Sequence, residues 1–153
     1  VQLLVLTSSL TGPHGLGGEC ADNFETGSLS AIAGGTTTII TFATQTRAEE
    51  DRSLLKVVET YNARAEETGS YADYAFHIII VRNDQDILEN ELPVLVKDWG
   101  ISSCKLFLTY DTQRLTDSQL LDVMFEARKN AITTVCSFNA LNISHANLAD
   151  DTC

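Results

Sequence analysis

Residues 103–110 read Ser103-Cys104-Lys105-Leu106-Phe107-Leu108-Thr109-Tyr110, a run in which apolar and polar residues do not alternate cleanly. A strand with one wet face alternates, whereas a continuous apolar run suits a strand covered on both faces, as in a parallel sheet. The same texture recurs upstream at residues 36–43 (TTTIITFA) and 74–81 (YAFHIIIV), and in more polar form downstream at residues 131–138 (AITTVCSF). Helical patterns sit between these runs. Thr46-Arg47-Ala48-Glu49 has the form of a capping box opening a helix that reaches about Glu67, with Leu54, Leu55, Val58 and Tyr61 on one stripe. Thr116-Asp117-Ser118-Gln119 is a second such box, followed by Leu120, Leu121, Met124 and Ala127 on one face. Residues 87–99 supply another helix, blemished by Pro93. A helix over residues 24–33 should stop at Gly34-Gly35, because glycine suits the left-handed position after a helix end. The acidic run Glu49-Glu50-Asp51 fits a helix N-terminus, where the macrodipole favours negative charge.

The order is α-β-α-β-α-β-α-β with single-helix crossovers, which implies right-handed βαβ units and a parallel α/β sheet. Two architectures fit: an open parallel α/β sheet of flavodoxin type, with a ligand crevice at the strand C-termini, or part of a (β/α)₈ TIM barrel. A full barrel needs about 250 residues, so the 153 residues here favour the open sheet on length alone.

Composition narrows the function classes. The chain is 44% hydrophobic and 20% charged, enough apolar content for one real core and too much for wholesale disorder. Ten basic against twenty-one acidic residues leave a net charge of −11, a surface that repels phosphate backbones and argues against nucleic acid as a partner. No apolar run approaches the roughly 18–20 residues of a membrane span. The chain opens Val1-Gln2-Leu3-Leu4 without Met, which raises the expectation of a processed or partial chain; no basic region precedes the apolar residues 1–6, so a signal peptide is not supported. Cys20, Cys104, Cys136 and Cys153 form no C-x-x-C pair, which makes a reducing, cytoplasmic compartment the expectation. The sequon Asn142-Ile143-Ser144 matters only in a secreted chain.

Several motifs carry a family likeness. Cys20-Ala21-Asp22-Asn23-Phe24-Glu25-Thr26-Gly27, then Ala31-Ile32-Ala33-Gly34-Gly35-Thr36-Thr37-Thr38, then Asp73-Tyr74-Ala75-Phe76-His77, then residues 103–110 resemble, in order and spacing, the dihydropyrimidinase/hydantoinase branch of the amidohydrolase superfamily. The likeness runs from about residue 12 to residue 140, leaving residues 141–153 as a polar tail. It implies part of a TIM barrel, roughly half, within a family that hydrolyses cyclic amides with two metal ions, usually zinc. By motif, Lys105 stands where the family has a lysine that carbon dioxide carboxylates and that bridges the metals. An unpaired ammonium on an apolar strand is costly to bury, and carbamylation turns it into an anionic oxygen ligand. Tyr110, five residues on at the strand end, matches the family tyrosine whose hydroxyl stabilises the oxyanion.

The departures are equally specific. Residues 1–11 hold no histidine where the family has a His-x-His pair, and Val135-Cys136-Ser137-Phe138-Asn139 places Cys136 where the fifth strand should offer a metal-binding histidine. A thiolate binds zinc, but one substituted ligand does not rebuild a two-metal site. The expectation is a fragment or degenerate homologue of a cyclic-amide hydrolase, inactive by itself, with a small cyclic amide as substrate if active. The alternative is a non-catalytic, self-assembling scaffold. Open strand edges predict a homo-oligomer in either case. The glycine-rich residues 12–18 lack a Gly-Lys-Ser/Thr ending and read as a substrate-side loop; His14, Glu19, Cys20 and Asp22 read as a solvated loop, and His77 as a satisfied core histidine. His145, Asp150, Asp151 and Cys153 fall in the polar tail.

Overall fold

Three of the four α-helices start where a short polar side chain takes up an orphan backbone N–H. The computed structural model describes residues 3–5, 22–109 and 111–137. In it, Asn23 caps α1 (Phe24–Ala33) with a reciprocal box to Thr26, Ser53 caps α2 (Leu54–Thr68), and Thr116 caps α4 (Asp117–Lys129) with a reciprocal box to Gln119. Helix α3 (Gln85–Trp99) runs through Pro93 and forgoes the bond that residue's missing N–H would make to Glu89. The strands are β1 (Leu3–Val5), β2 (Thr38–Thr44), β3 (Asp73–Ile79), β4 (Ser103–Phe107) and β5 (Thr133–Ser137).

Two expectations need correcting. The Thr46 box does not open α2: Glu49–Asp51 form a separate 3-10 turn, the Thr46 hydroxyl bonds to the Asp51 carboxylate, and Ser53 accepts from Lys56 N–H seven residues later. The acidic run therefore precedes the helix rather than forming its first turn. The end of α1 is as expected: the helix stops at Ala33, Gly34 follows at φ −84°, and Gly35 takes the left-handed position at φ 83°. The short β1 was not anticipated among the apolar residues 1–6.

All five strands are parallel and lie in the order β1-β2-β3-β4-β5. That order separates the two candidate architectures. An open doubly wound sheet reverses its strand order and carries helices on both faces. Sequential order with right-handed crossovers puts every helix on one face, which is the winding of a barrel. The fold is thus a run of βα units forming part of a TIM barrel.

Burial follows the two faces. On the helix side Ile39, Ala43, Phe76, Ile78, Cys104 and Leu106 join residues such as Leu54, Val58, Leu92, Leu95 and Val123 in one large cluster. On the other face Phe42, Ile79, Val81 and Phe107 form a smaller cluster of their own. No described helix is long and apolar enough to cross a membrane.

Candidate functional site

The face opposite the helices corresponds to a barrel interior, and alternation assigns residues to it. In β4, Cys104 and Leu106 enter the helix-side core, so Ser103, Lys105 and Phe107 project to the other face. Parallel register carries the same parity to the neighbours: Lys105 is paired with Ile79 of β3 and Val135 of β5, and Phe42 of β2 with His77 of β3.

Lys105 is half-buried, and its Nζ sits 4.7 Å from the ring centroid of Phe42 and 4.7 Å from that of Phe107. Two aromatic faces hold the ammonium by cation–π attraction. Among the described residues no carboxylate pairs with it. Burial pushes its pKa below the ordinary lysine value, which enlarges the fraction of neutral amine at a given pH. His77 lies beneath, edge-on to Phe42 at 5.1 Å, and its Nδ1 shares a 2.6 Å hydrogen bond with the Ser103 hydroxyl. Burial lowers the His77 pKa, and the nearby Lys105 charge lowers it further. His77 is the satisfied core histidine its sequence context suggested.

Cys136 does not join this group. It pairs with Leu106, which places it on the helix-side parity of an exposed strand, opposite Lys105. It acts instead on Cys104, whose buried thiol is pushed up to about 12 by desolvation first and by Cys136 second. Tyr110 lies outside the described residues, as do residues 12–18, His14, Glu19, Cys20, His145, Asp150, Asp151 and Cys153. Asp22 accepts from the Thr26 hydroxyl at the start of α1 and so belongs to a helix cap. Among the described residues no three His, Cys, Asp or Glu side chains converge as a metal site.

The strand C-termini carry a polar framework that local sequence did not reveal. Gln45 is 1% exposed; its carbonyl oxygen accepts from Val81 and Arg82 N–H, and its amide donates to Arg52 O. Arg47 reaches the segment after Tyr110, donating from Nε to Thr112 O at 2.9 Å and from Nη2 to Arg114 O at 2.7 Å. Arg82 and Arg52 both meet Asp84, and Asn83 bonds to Asp122 and Gln119. The ends of β2, β3 and β4 are thereby tied into one rim. The only sequence signal was the polar richness of these segments.

No protein-family model matches the chain. It is 38% identical over 110 residues to the D-hydantoinase of Geobacillus stearothermophilus, covering 71% of this chain and 22% of that protein. It is 32% identical over 136 residues to the dihydropyrimidinase of Arabidopsis thaliana, covering 88% of this chain and 23% of that one. A crystal structure of D-hydantoinase superposes with a TM-score of 0.76 at 31% identity, over 94% of this chain and 31% of that chain. The chain spans about a fifth of the length of the curated relatives it matches.

Proposed function

We propose that this chain, homologous to one section of the hydantoinases and dihydropyrimidinases of the amidohydrolase superfamily, is a piece of a cyclic-amide hydrolase barrel that carries the carbamylatable lysine of the metal site and does not hydrolyse cyclic amides by itself. The single observation behind this reading is the setting of Lys105: on the face away from the helices, between two rings, without a carboxylate among the described residues. Its depressed pKa favours the neutral amine that attacks carbon dioxide, giving a carbamate and releasing one proton.

The described residues do not fit a two-metal centre. Lys105 is the one family ligand among them, and Cys136, on the opposite parity, cannot share an ion with it as β5 is paired here. Two metals would supply a polarised carbonyl and an activated water. Here Lys105 would offer an oxygen ligand, and the rim set by Gln45 and Arg47 would hold the loops at the strand ends. Tyr110 remains the candidate for oxyanion stabilisation, and zinc the candidate metal of the complete site.

The test is metal analysis of the zinc-equilibrated chain together with ring opening of dihydrouracil and hydantoin followed by absorbance. The expected result is no stoichiometric pair of zinc ions and no turnover. Two bound zincs per chain with turnover that Lys105→Ala abolishes would overturn it.

A further inference from the structure

Strands β2 and β4 are not neighbours: β3 lies between them, so their ends stand about 10 Å apart across the sheet. One side chain crosses that gap. Arg47, three residues beyond β2, donates from Nε to Thr112 O at 2.9 Å and from Nη2 to Arg114 O at 2.7 Å. These two donors form one edge of a planar guanidinium, a fixed fork that suits two carbonyls turned the same way. Among the described residues no backbone N–H bonds to either carbonyl, so the fork is what fastens them. The next residue, Leu115, is buried in the helix-side core and donates its N–H to Phe107 O, which closes the β4–α4 connection at its base. The root of Arg47 is held as well. Gln45 is buried two residues before it, Ala48 N–H donates to the Thr46 hydroxyl, and Arg82 at the β3 end donates to Arg47 O.

We propose that Arg47 is a positioning residue for the β4–α4 connection: its fork, reaching over the end of β3, fixes residues 112–115 against the rim. The functional weight of this clasp rests on the reading of Lys105 and Tyr110 given above. Tyr110 belongs to the same connection in sequence, so Arg47 serves the oxyanion side of that site without touching substrate. The clasp also makes three strand ends depend on one another. Its root follows Gln45, whose carbonyl oxygen accepts from Val81 and Arg82 N–H, so a shift at the β3 end reaches the β4–α4 connection through Arg47. Lysine is no substitute here, because an ammonium is a point charge without the two-pronged geometry.

Proton exchange followed by NMR on the 153-residue chain tests this, with Arg47→Gln and Arg47→Lys beside the native protein. In the native chain the Arg47 Nε proton should exchange slowly, the signature of a side chain fixed on a carbonyl. Arg47→Gln should speed exchange of the Leu115 amide by about ten-fold or more, while the amides of Val58 and Leu92 in the core helices stay as they were. Arg47→Lys should recover only part of that protection. Unchanged Leu115 exchange in Arg47→Gln overturns the proposal. So does an equal acceleration at Val58 and Leu92, which would make Arg47 a contributor to global stability alone, or full protection in Arg47→Lys, which would make the fork irrelevant. Carbon-13 NMR under labelled carbon dioxide reads the Lys105 carbamate separately. Its absence, with Leu115 protection still lost in Arg47→Gln, would sink the reading of the lysine and leave the clasp standing.

Discussion

His77 shows how one residue's surroundings become a property of the whole chain. Its ring is packed edge-on against Phe42, hydrogen-bonded to Ser103 and close to the Lys105 charge, so its pKa in the folded chain lies below the ordinary 6.5, chiefly through burial. The unfolded chain therefore binds a proton more readily than the folded one. Stability is complete above the unfolded value near 6.5 and declines as pH falls below it toward the folded pKa. Thermal melts taken from pH 7.5 to pH 5 should show a steeper acid-side loss for the native chain than for His77→Gln, which keeps a polar partner for Ser103 without titrating. Equal slopes would mean that His77 is protonated as easily in the folded chain as in the unfolded one. Lys105 was legible in the sequence for a related reason, since a cation inside an apolar run contrasts with its neighbours. Its contact with Phe42 was not legible, because that ring comes from a strand more than sixty residues away in sequence.

Helix starts separate what local sequence can decide from what it cannot. Thr116 and Gln119 satisfy each other's backbone donors, so Thr116→Ala should cost about 1 kcal/mol in urea unfolding. Thr46 had the same sequence signature, Thr-x-x-Glu, yet its hydroxyl is bound to Asp51 and the helix begins only after Ser53. Ser53→Ala should accordingly lose about 1 kcal/mol as well, by loss of the bond from Lys56 N–H. The signature failed at Thr46 because Gln45 donates across to Arg52 O, closing a short loop that holds Glu49–Asp51 as a 3-10 turn before the helix. The end of α1 and the start of α4 lay where the glycine pair and the capping box placed them, since nothing distant competes there. The position of Cys136 escaped in the same way as Thr46: its face depends on the β4–β5 register, which no window of adjacent residues contains. Arg47, bridging 65 and 67 residues to Thr112 O and Arg114 O, carries no local mark at all.

At the scale of the whole molecule, sequential strand order concentrates the core on one side of the sheet, and β4 runs between β3 and β5 against it. Cys104 is fully buried in that core, with a thiol pushed up to about 12 by desolvation, so alkylation requires both exposure and a return to an ordinary pKa. A local opening of a loop supplies neither, because the residue lies in a strand paired on both sides. Cys136 is exposed, on the edge strand of the described sheet, and needs no opening. Iodoacetamide labelling read by peptide mass should therefore modify Cys136 promptly and Cys104 only at the rate set by global unfolding. Leu106→Ala removes a fully buried side chain from the same cluster, a loss of about 2–5 kcal/mol. The open population, and with it Cys104 labelling under fast reclosing, should then rise by roughly thirty-fold to a few thousand-fold. Cys136 labelling should be unchanged. If Cys104 reacts as fast as Cys136 in the native chain, the helix-covered face does not behave as one cooperative core, and the barrel-type winding inferred from strand order loses its energetic basis.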